Sequence, residues 1–484
     1  MSISVLNYPY CDSATLFEQV ADQPWAIFLD SGVLRGEKPS SATGDFDVLA
    51  IKPQSTLVFQ DGVIQFRSGA IKEQLHGDPL SVLQSSIPKY AETEQTIKDV
   101  DCAYLPGALG YFSYDLARYY ESLETAANND EELPEMAVGI YHVIMVIDHQ
   151  QQRTQLVWRE GASNVQSIVE EWQELMEWYE EDGQDEADSK AFMDEYSGRM
   201  QAGLLNENMD EKEYRECFNR IRSYSMAGDC YQVNLTKRFS TKVIGDAWLS
   251  YRCLREVSPA PYGVYFNLPF VQILSNSPES FIQCRDRQVV TSPIKGTKAR
   301  NHQDKELDEE IANSLLNSEK DRAENLMIVD LMRNDLSRCC ELGSVKVPSM
   351  FAIHSFANVH HLISTITGVL RKNLHPLDLL KSCFPGGSIT GAPKIRAMEI
   401  IEELEPHRRG VYCGSIGYIG MDASMETSIA IRTIVVKDSV ARFAAGGGLV
   451  IDSEVSEEHQ EIIDKASIMN HVLVRHSNEG LPDS

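Results

Sequence analysis

Lys295 stands one residue before a glycine in Pro293-Ile294-Lys295-Gly296-Thr297-Lys298-Ala299-Arg300, a polar turn expected to follow the apolar β-like run through Val289 and Val290. Most lysines are solvated surface charges. A lysine aimed into a pocket does different chemistry, because withdrawal of water favours the neutral, nucleophilic amine. This stretch alone leaves both readings open. Carboxylates supply the next candidates. Glu461, Lys465, Ile468 and Val472 recur at i, i+4, i+7 and i+11, so one helical face carries two charges in line with two core-type residues. Glu461 and Lys465 then either lean inward or form an i,i+4 ion pair at the rim, worth roughly 0.2–0.5 kcal/mol. The same spacing aligns Glu324, Ile328, Leu331 and Asp335. Two inward glutamates on two helices suit one hard divalent cation. Mg²⁺ fits so sparse a set, since it keeps waters and takes further oxygens from a substrate.

Ser428-Ile429-Ala430-Ile431-Arg432-Thr433-Ile434-Val435-Val436 is apolar on both faces of an expected strand except at Arg432. A buried guanidinium needs an anion, either an internal carboxylate or a ligand's carboxylate gripped by its fork. Phe384-Pro385-Gly386-Gly387-Ser388-Ile389-Thr390-Gly391-Ala392-Pro393-Lys394 is a glycine-rich loop opening a helix, with Pro393 expected at its first position. Its backbone N–H groups either cap or bind an anion. Ala445-Gly446-Gly447-Gly448, between two strands, permits close backbone approach. With Arg432, Lys465 and a metal, these loops would line a pocket for a small polyanionic acid. The chain needs such local cations, because its formal net charge of −28 repels anions at long range. That charge also excludes a nucleic-acid partner.

The elements that must position these residues are those of an α+β protein. Its 484 residues allow about three domain-sized units or one large two-lobed domain. Residues 1–165 are a β-rich N-terminal portion, with runs at Trp25–Leu29, Thr56–Phe59 and Gly139–Ile147. The last is expected to form a hairpin with Arg153–Trp158. Residues 166–210 are an acidic helix and linker. Glu170 to Asp188 holds ten Asp/Glu and no Lys or Arg, and its end from Glu180 reads as a solvated linker or an acidic interaction tail. Residues 211–478 carry the chemistry, with helices over Glu211–Met226, Asp304–Cys339 (broken near Ser318) and Ser456–Arg475, and strands over Tyr231–Leu235, Tyr262–Asn267, Val271–Ser275 and Gly410–Ile451. Consecutive strand runs with helices between them imply large antiparallel sheets. No apolar run is long enough to span a membrane. The N-terminus has neither a basic region nor an apolar core, and the ten cysteines form no CxxC pair, so a reducing cytoplasm is expected.

The residues singled out also carry a family likeness. Gly228-Asp229-Cys230-Tyr231-Gln232-Val233-Asn234-Leu235, Ser277-Pro278-Glu279, Pro293-Ile294-Lys295-Gly296-Thr297 and Lys320-Asp321-Arg322-Ala323-Glu324-Asn325-Leu326-Met327 resemble motifs of the chorismate-utilising enzymes. So do Arg333-Asn334-Asp335-Leu336, the Pro385–Lys394 loop, Cys413–Tyr418, Ile431-Arg432-Thr433 and Gly446–Ser453. The likeness covers the C-terminal 260 or so residues closely and the N-terminal portion mainly at Trp25 to Gly32. It implies two large facing antiparallel sheets with helices outside, Glu324 and Glu461 as Mg²⁺ ligands, and Glu279 as general acid. It implies a chorismate pocket formed by Tyr412, Arg432, His361, Ser388, Gly446, Gly447, Gly448, Lys465, Gln232 and Thr297. Relatives that add water to chorismate carry lysine at position 232, and those that form anthranilate carry alanine at position 295. Lys295 with Gln232 matches the branch that forms 4-amino-4-deoxychorismate for 4-aminobenzoate and folate. There the lysine attacks C2, and ammonia comes from a separate class I glutamine amidotransferase subunit in a heterodimer. An anthranilate-forming enzyme and a silent chorismate-binding subunit are the alternatives. Leu29, Ser31, Pro261, Tyr262 and Gly263 match a tryptophan pocket in some relatives, or else pack a core tyrosine. Departures from the family pattern are small: Ile462, where relatives often have threonine, and the acidic linker.

Overall fold

In a computed structural model, which describes residues 2–40, 43–88, 101–162, 164–183, 198–356 and 359–475, the strands form two sheets, of fourteen and of twelve strands. Strand pairings are antiparallel apart from the two-residue contact of Gln201–Ala202 with Val474–Arg475. The chain is α+β, as expected. Both faces of both sheets are covered, which explains why many strands read as unbroken apolar runs. In the larger sheet Ile27, Val48, Ile144 and Val146 point into a cluster between the sheets. Their neighbours Phe28, Leu49, Met145 and Ile147 point outward, into a cluster shared with the helices Val165–Trp178, Glu211–Ala227, Lys394–Leu404 and Val455–Val472. In the smaller sheet Leu109 and Tyr111 face the other sheet, while Ala108 and Phe112 face the helices Glu319–Ser337 and Pro376–Cys383. This is the two-residue period of a pleated strand applied to two cores at once.

The portions 1–165 and 211–478 share both sheets. Ala26–Asp30 pairs with Tyr262–Leu268, and Gly107–Phe112 pairs with Ser415–Gly420. Between them the Val165–Trp178 helix forms, burying Ile168, Val169, Trp172 and Met176. Of the rest of the expected linker, residues 184–197 lie outside the described residues, as do residues 476–478, and residues 198–210 carry the short strands Gln201–Ala202 and Asn206–Glu207.

Several local expectations change. Gly139–Ile147 is two strands in different sheets, Met136–Tyr141 and Val143–Asp148, with the chain crossing at His142. Ser428–Val436 splits the same way into Met425–Ile429 and Thr433–Lys437, with Arg432 in left-handed backbone (φ +50°) at the crossing. The expected turn at Lys295 is a bulge inside a strand, Ile294–Ala299. Pro393 is the N-cap of the helix Lys394–Leu404 rather than its first residue. The long helical region does break at Ser318, whose hydroxyl caps Glu319–Ser337 by accepting from the Asp321 N–H. The final helix ends at Val472, and its buried face is Glu458, Ile462, Ala466, Met469 and Val472. That stripe lies about one residue away from Glu461 and Lys465, which are 52% and 45% exposed. Among the described residues, no helix is long and apolar enough to cross a membrane.

Candidate active site

Two sheet-to-sheet crossings meet at the site. The chain leaves the larger sheet at Ser277 and enters the smaller at Ser280, so Glu279 stands in the crossing. The other crossing, at Ala430–Arg432, lies against it. The Ile429 N–H donates to the Glu279 carbonyl at 3.0 Å, the Asn276 N–H donates to the Arg432 carbonyl at 3.0 Å, and the Ser277 hydroxyl donates to the Ile429 carbonyl at 2.6 Å. An acid and a guanidinium are thereby fixed to one join between the sheets.

Glu279 is 6% exposed. Burial pushes its carboxyl pKa up, and a hydrogen bond with Ser388, then the Lys295 and Lys465 ammoniums, pull it part of the way back. Arg432 has no ion-pair partner among the described residues, and burial pushes its pKa down. Of the two sequence readings, an internal ion pair is therefore not what the fold builds. A half-buried cation without a carboxylate suits an anionic ligand.

Lys295 owes its direction to the bulge. Ile294 pairs with Ile363 and Thr297 with His361, so Lys295 and Gly296 together oppose Leu362. Gly296 has φ +85°, and a Cβ there would stand 2.9 Å from Asp321 Oδ1 and from Leu315 Cδ1, so only glycine fits. The extra residue turns Lys295 toward the opposite sheet. Its Nζ lies 3.0 Å from where a Cβ on Gly448 would be, and Gln232 Nε2 lies 2.6 Å from the same point. Gln232 is fully buried, with neither side-chain nitrogen nor oxygen partnered among the described residues. Two unpartnered amide atoms beside a lysine suit a polar ligand.

Gly448 faces Asn234 across the pair of strands, and Gly446 faces Thr236. Those glycines open the inner side of the strand. Gly447 lies on the other side, where a Cβ would meet Glu458 Oε2 at 3.0 Å. Lys465 donates to the Gly446 carbonyl at 3.1 Å and pairs with Glu461 at 2.6 Å. The rim ion pair is thus formed, yet it leans over the site: Glu279 lies within the field of Lys465 and Glu461 within that of Lys295. His361 is 3% exposed, and burial, with Arg432 next, drives its pKa to about 3, so its ring is neutral. Ser388 and Tyr412 are buried, while Thr297 is exposed on its strand.

Glu324 and Glu461 converge from two helices on Lys295 and Lys320. Burial pushes the Glu324 pKa up, which marks a carboxylate short of positive partners. For Glu461 burial acts the same way, but Lys465 overrides it and holds the carboxylate down. Among the described residues no three His, Cys, Asp or Glu side chains cluster as metal ligands. A cation here would therefore rest on two carboxylates plus water and substrate oxygens, which is what Mg²⁺ accepts. Asp335, aligned with Glu324 by spacing, is bound instead to Lys394 at 2.6 Å, anchoring the Ser388 loop.

Sequence reasoning missed two residues. Asn234 is buried on the Gln232 side of its strand with Oδ1 unpartnered, and the polar alternation Gln232, Asn234, Thr236 was the available signal. Arg409, buried, forks onto Glu405 at 2.7 and 2.9 Å and donates to the Ile389 and Asn234 carbonyls, each at 2.8 Å. It holds the Ser388 loop against the Gln232–Ile244 strand, and nothing local in the sequence reveals it.

A second space, a cavity of about 600 Å³ between the sheets, is lined by Leu29, Pro261, Tyr262 and Gly263 together with Phe46 and Glu426. Ser31 does not line it. Ser31 is buried, its N–H donating to Asp47 Oδ1 at 2.7 Å.

Residues 40–471 match the chorismate binding enzyme family, and the chain belongs to it. It is 41% identical over 475 residues to aminodeoxychorismate synthase component 1 of Klebsiella aerogenes, covering 98% of this chain and 99% of that one. It is 42% identical over 451 residues to the Escherichia coli (strain K12) protein of the same name, covering 93% and 94%. Anthranilate synthase component 1 of Thermus thermophilus is 36% identical over 454 residues, covering 93% of each chain. Among solved structures, anthranilate synthase component I from Streptococcus pneumoniae superposes with a TM-score of 0.76 at 30% identity, covering 90% of this chain and 94% of that one. An isochorismate synthase from Escherichia coli, at 17% identity and a TM-score of 0.67, shares the fold.

Proposed function

We propose that this chain is the chorismate-converting component of an aminodeoxychorismate synthase, making 4-amino-4-deoxychorismate from chorismate and ammonia for 4-aminobenzoate and folate biosynthesis. The observation that carries the reading is Lys295, turned by its bulge into a slot beside buried Gln232 and within the field of buried Glu279.

The Lys295 amine attacks C2 of chorismate, the two ring double bonds shift, and the C4–O bond breaks. Hydroxide is a poor leaving group, so Glu279, whose pKa burial pushes up, donates a proton and water departs. Ammonia then bonds to C4, the double bonds shift back, and the C2–N bond to Lys295 breaks with its electron pair returning to the lysine nitrogen, while the new C4 ammonium gives its extra proton to the Glu279 carboxylate. The sum is chorismate plus ammonia giving 4-amino-4-deoxychorismate plus water, with the enolpyruvyl group kept. Gln232 is no base, so water is not activated at this position. Arg432, Tyr412 and the edge of the Gly446–Gly448 strand hold the enolpyruvyl carboxylate, and His361, Ser388 and Lys465 line the rest, with Thr297 set against His361. Glu324 and Glu461 would hold Mg²⁺, which when bound supplies a Lewis acid for the ring carboxylate.

The ammonia comes from a class I glutamine amidotransferase partner in a heterodimer. No Gly-x-Cys-x-Gly turn occurs in this sequence, and its ten free cysteines suit a reducing cytoplasm. The 600 Å³ cavity is the place for tryptophan. Calorimetry on protein stripped of co-purified tryptophan tests that part, and absence of heat removes it. The reaction is tested by incubating the protein with chorismate, Mg²⁺ and ammonium and resolving the product. Fluorescent anthranilate would overturn the reading. So would Lys295→Ala keeping full rate and the same product.

A further inference from the structure

Thr297 and His361 face each other across the strands Ile294–Ala299 and Val359–Val369, and Thr297 Oγ1 lies 2.8 Å from His361 Nδ1. The Phe356 ring meets the imidazole edge-on, centroids 5.0 Å apart at 73°. The other ring nitrogen, Nε2, is buried with no partner among the described residues. One nitrogen therefore faces a hydroxyl, the Gly296 backbone also acts on the ring, and Nε2 is left for whatever enters the slot.

We propose that Thr297 is a positioning residue that donates its hydroxyl proton to His361 Nδ1 and so fixes the tautomer with hydrogen on Nε2. A neutral imidazole carries one proton, and the partner of one nitrogen decides what the other presents. With Nδ1 accepting, Nε2–H is a single fixed donor aimed into a slot that must hold acceptors: substrate carboxylates and a departing hydroxyl oxygen. With the opposite tautomer, a lone pair would face those acceptors. Neutrality follows from burial and the neighbouring Arg432, which outweigh the Gly296 backbone acting the other way. Thr297 thus works through His361 rather than by touching substrate. The inference rests on the reading of this slot as the reaction site.

The test combines ¹⁵N spectra of histidine-labelled protein with a mutant cycle. Two-bond correlations, assigned by loss of the signal in His361→Ala, should show His361 protonated at Nε2 in the full-length chain. Thr297→Val should lower kcat by about five- to tenfold, the scale of one neutral hydrogen bond. Thr297→Ser should recover most of that rate. In the His361→Ala background Thr297→Val should change kcat less than twofold. A proton on Nδ1, an undiminished rate in Thr297→Val, or an equal loss in both backgrounds would each overturn the proposal. Lys295→Ala, measured alongside, reports on the site itself: full activity there refutes the reaction reading whatever the histidine spectrum shows.

Discussion

A methyl group on Gly448 would stand 3.0 Å from Lys295 Nζ, so the glycine leaves open the space that the lysine occupies. The same methyl would stand 2.6 Å from Gln232 Nε2. Both obstructed atoms are ends of flexible side chains, which can move aside without disturbing the backbone. Gly448→Ala is therefore expected to fold normally and to lose at least about a hundredfold in chorismate turnover, since misplacing a reacting group by about 1 Å costs on that scale. Gly417→Ala is the contrasting control. Its methyl would stand 2.1 Å from the Glu426 carbonyl oxygen, inside a strand pair, so it should fail to fold. Product rates and thermal unfolding of the two variants separate these outcomes.

Glu279 sets a pH limb. Burial raises its pKa above that of an ordinary carboxyl, so the acid form needed for proton donation survives to higher pH. The rate of Lys295 adduct formation should be level with respect to this group below that pKa and fall about tenfold per pH unit above it. The Ser388 hydrogen bond lowers the Glu279 pKa, so Ser388→Ala should move the limb to higher pH. Glu279→Gln should remove the limb and cost roughly a hundredfold or more in rate. Mass spectrometry of the quenched adduct against pH reads all three.

The helices and the site motifs were legible in the sequence, while the crossings were not. Ser318 announced the break in the long helix because capping is local chemistry, and Gly228 ended the Glu211–Ala227 helix in left-handed backbone as its position implied. A run such as Gly139–Ile147 hides its crossing, because both halves are buried on both faces and His142, at the change of sheet, is itself buried. Arg432 was expected on a strand and stands at the crossing instead. Glu461 and Lys465 show the limit of spacing arguments. The i, i+4, i+7 pattern fits two adjacent stripes of a helix, and Ile462, Ala466 and Met469 took the core, leaving the charged pair at the rim. The bulge at Lys295 depends on a pairing partner about 65 residues away, so its direction was not readable locally.

Stability should have a pH window centred on Asp47 and His149. Asp47 is fully buried, and its carboxylate lies 2.9 Å from His149 Nε2, whose other nitrogen is 2.8 Å from the Tyr10 hydroxyl. Burial alone would raise the Asp47 pKa, but His149 and then Arg255 hold it below the usual range. Burial alone would lower His149, but Asp47 holds it up. A depressed acid stabilises above its unfolded pKa, about 4, and that contribution is lost as pH falls through the folded value. A raised histidine stabilises below its unfolded pKa, about 6.5, and that contribution is lost as pH rises through the folded value. The pair therefore contributes most between about pH 4 and 6.5. Asp47→Asn should lower stability by about 3 kcal/mol inside that window and flatten both edges, as read from denaturant midpoints against pH.

Two arginines, Arg255 buried and Arg432 half-buried, should respond in opposite ways to the same substitution. Arg255 is held by Asp30 at 2.7 and 3.1 Å and donates to the Val33 carbonyl at 3.0 Å, so Arg255→Gln strands a carboxylate that is 3% exposed. Breaking a buried pair from one side costs about 3–5 kcal/mol. Among the described residues Arg432 has no such partner, and burial already weighs against its charge. Arg432→Gln should therefore leave the unfolding midpoint level or raise it, while chorismate KM rises about a hundredfold, the loss of a charge-assisted carboxylate bond of about 3 kcal/mol. If Arg432→Gln instead unfolds at a clearly lower denaturant concentration, the guanidinium is structural and the enolpyruvyl carboxylate is held elsewhere. Urea midpoints and chorismate KM, measured on both variants, decide between a cation kept for the fold and a cation kept for the ligand.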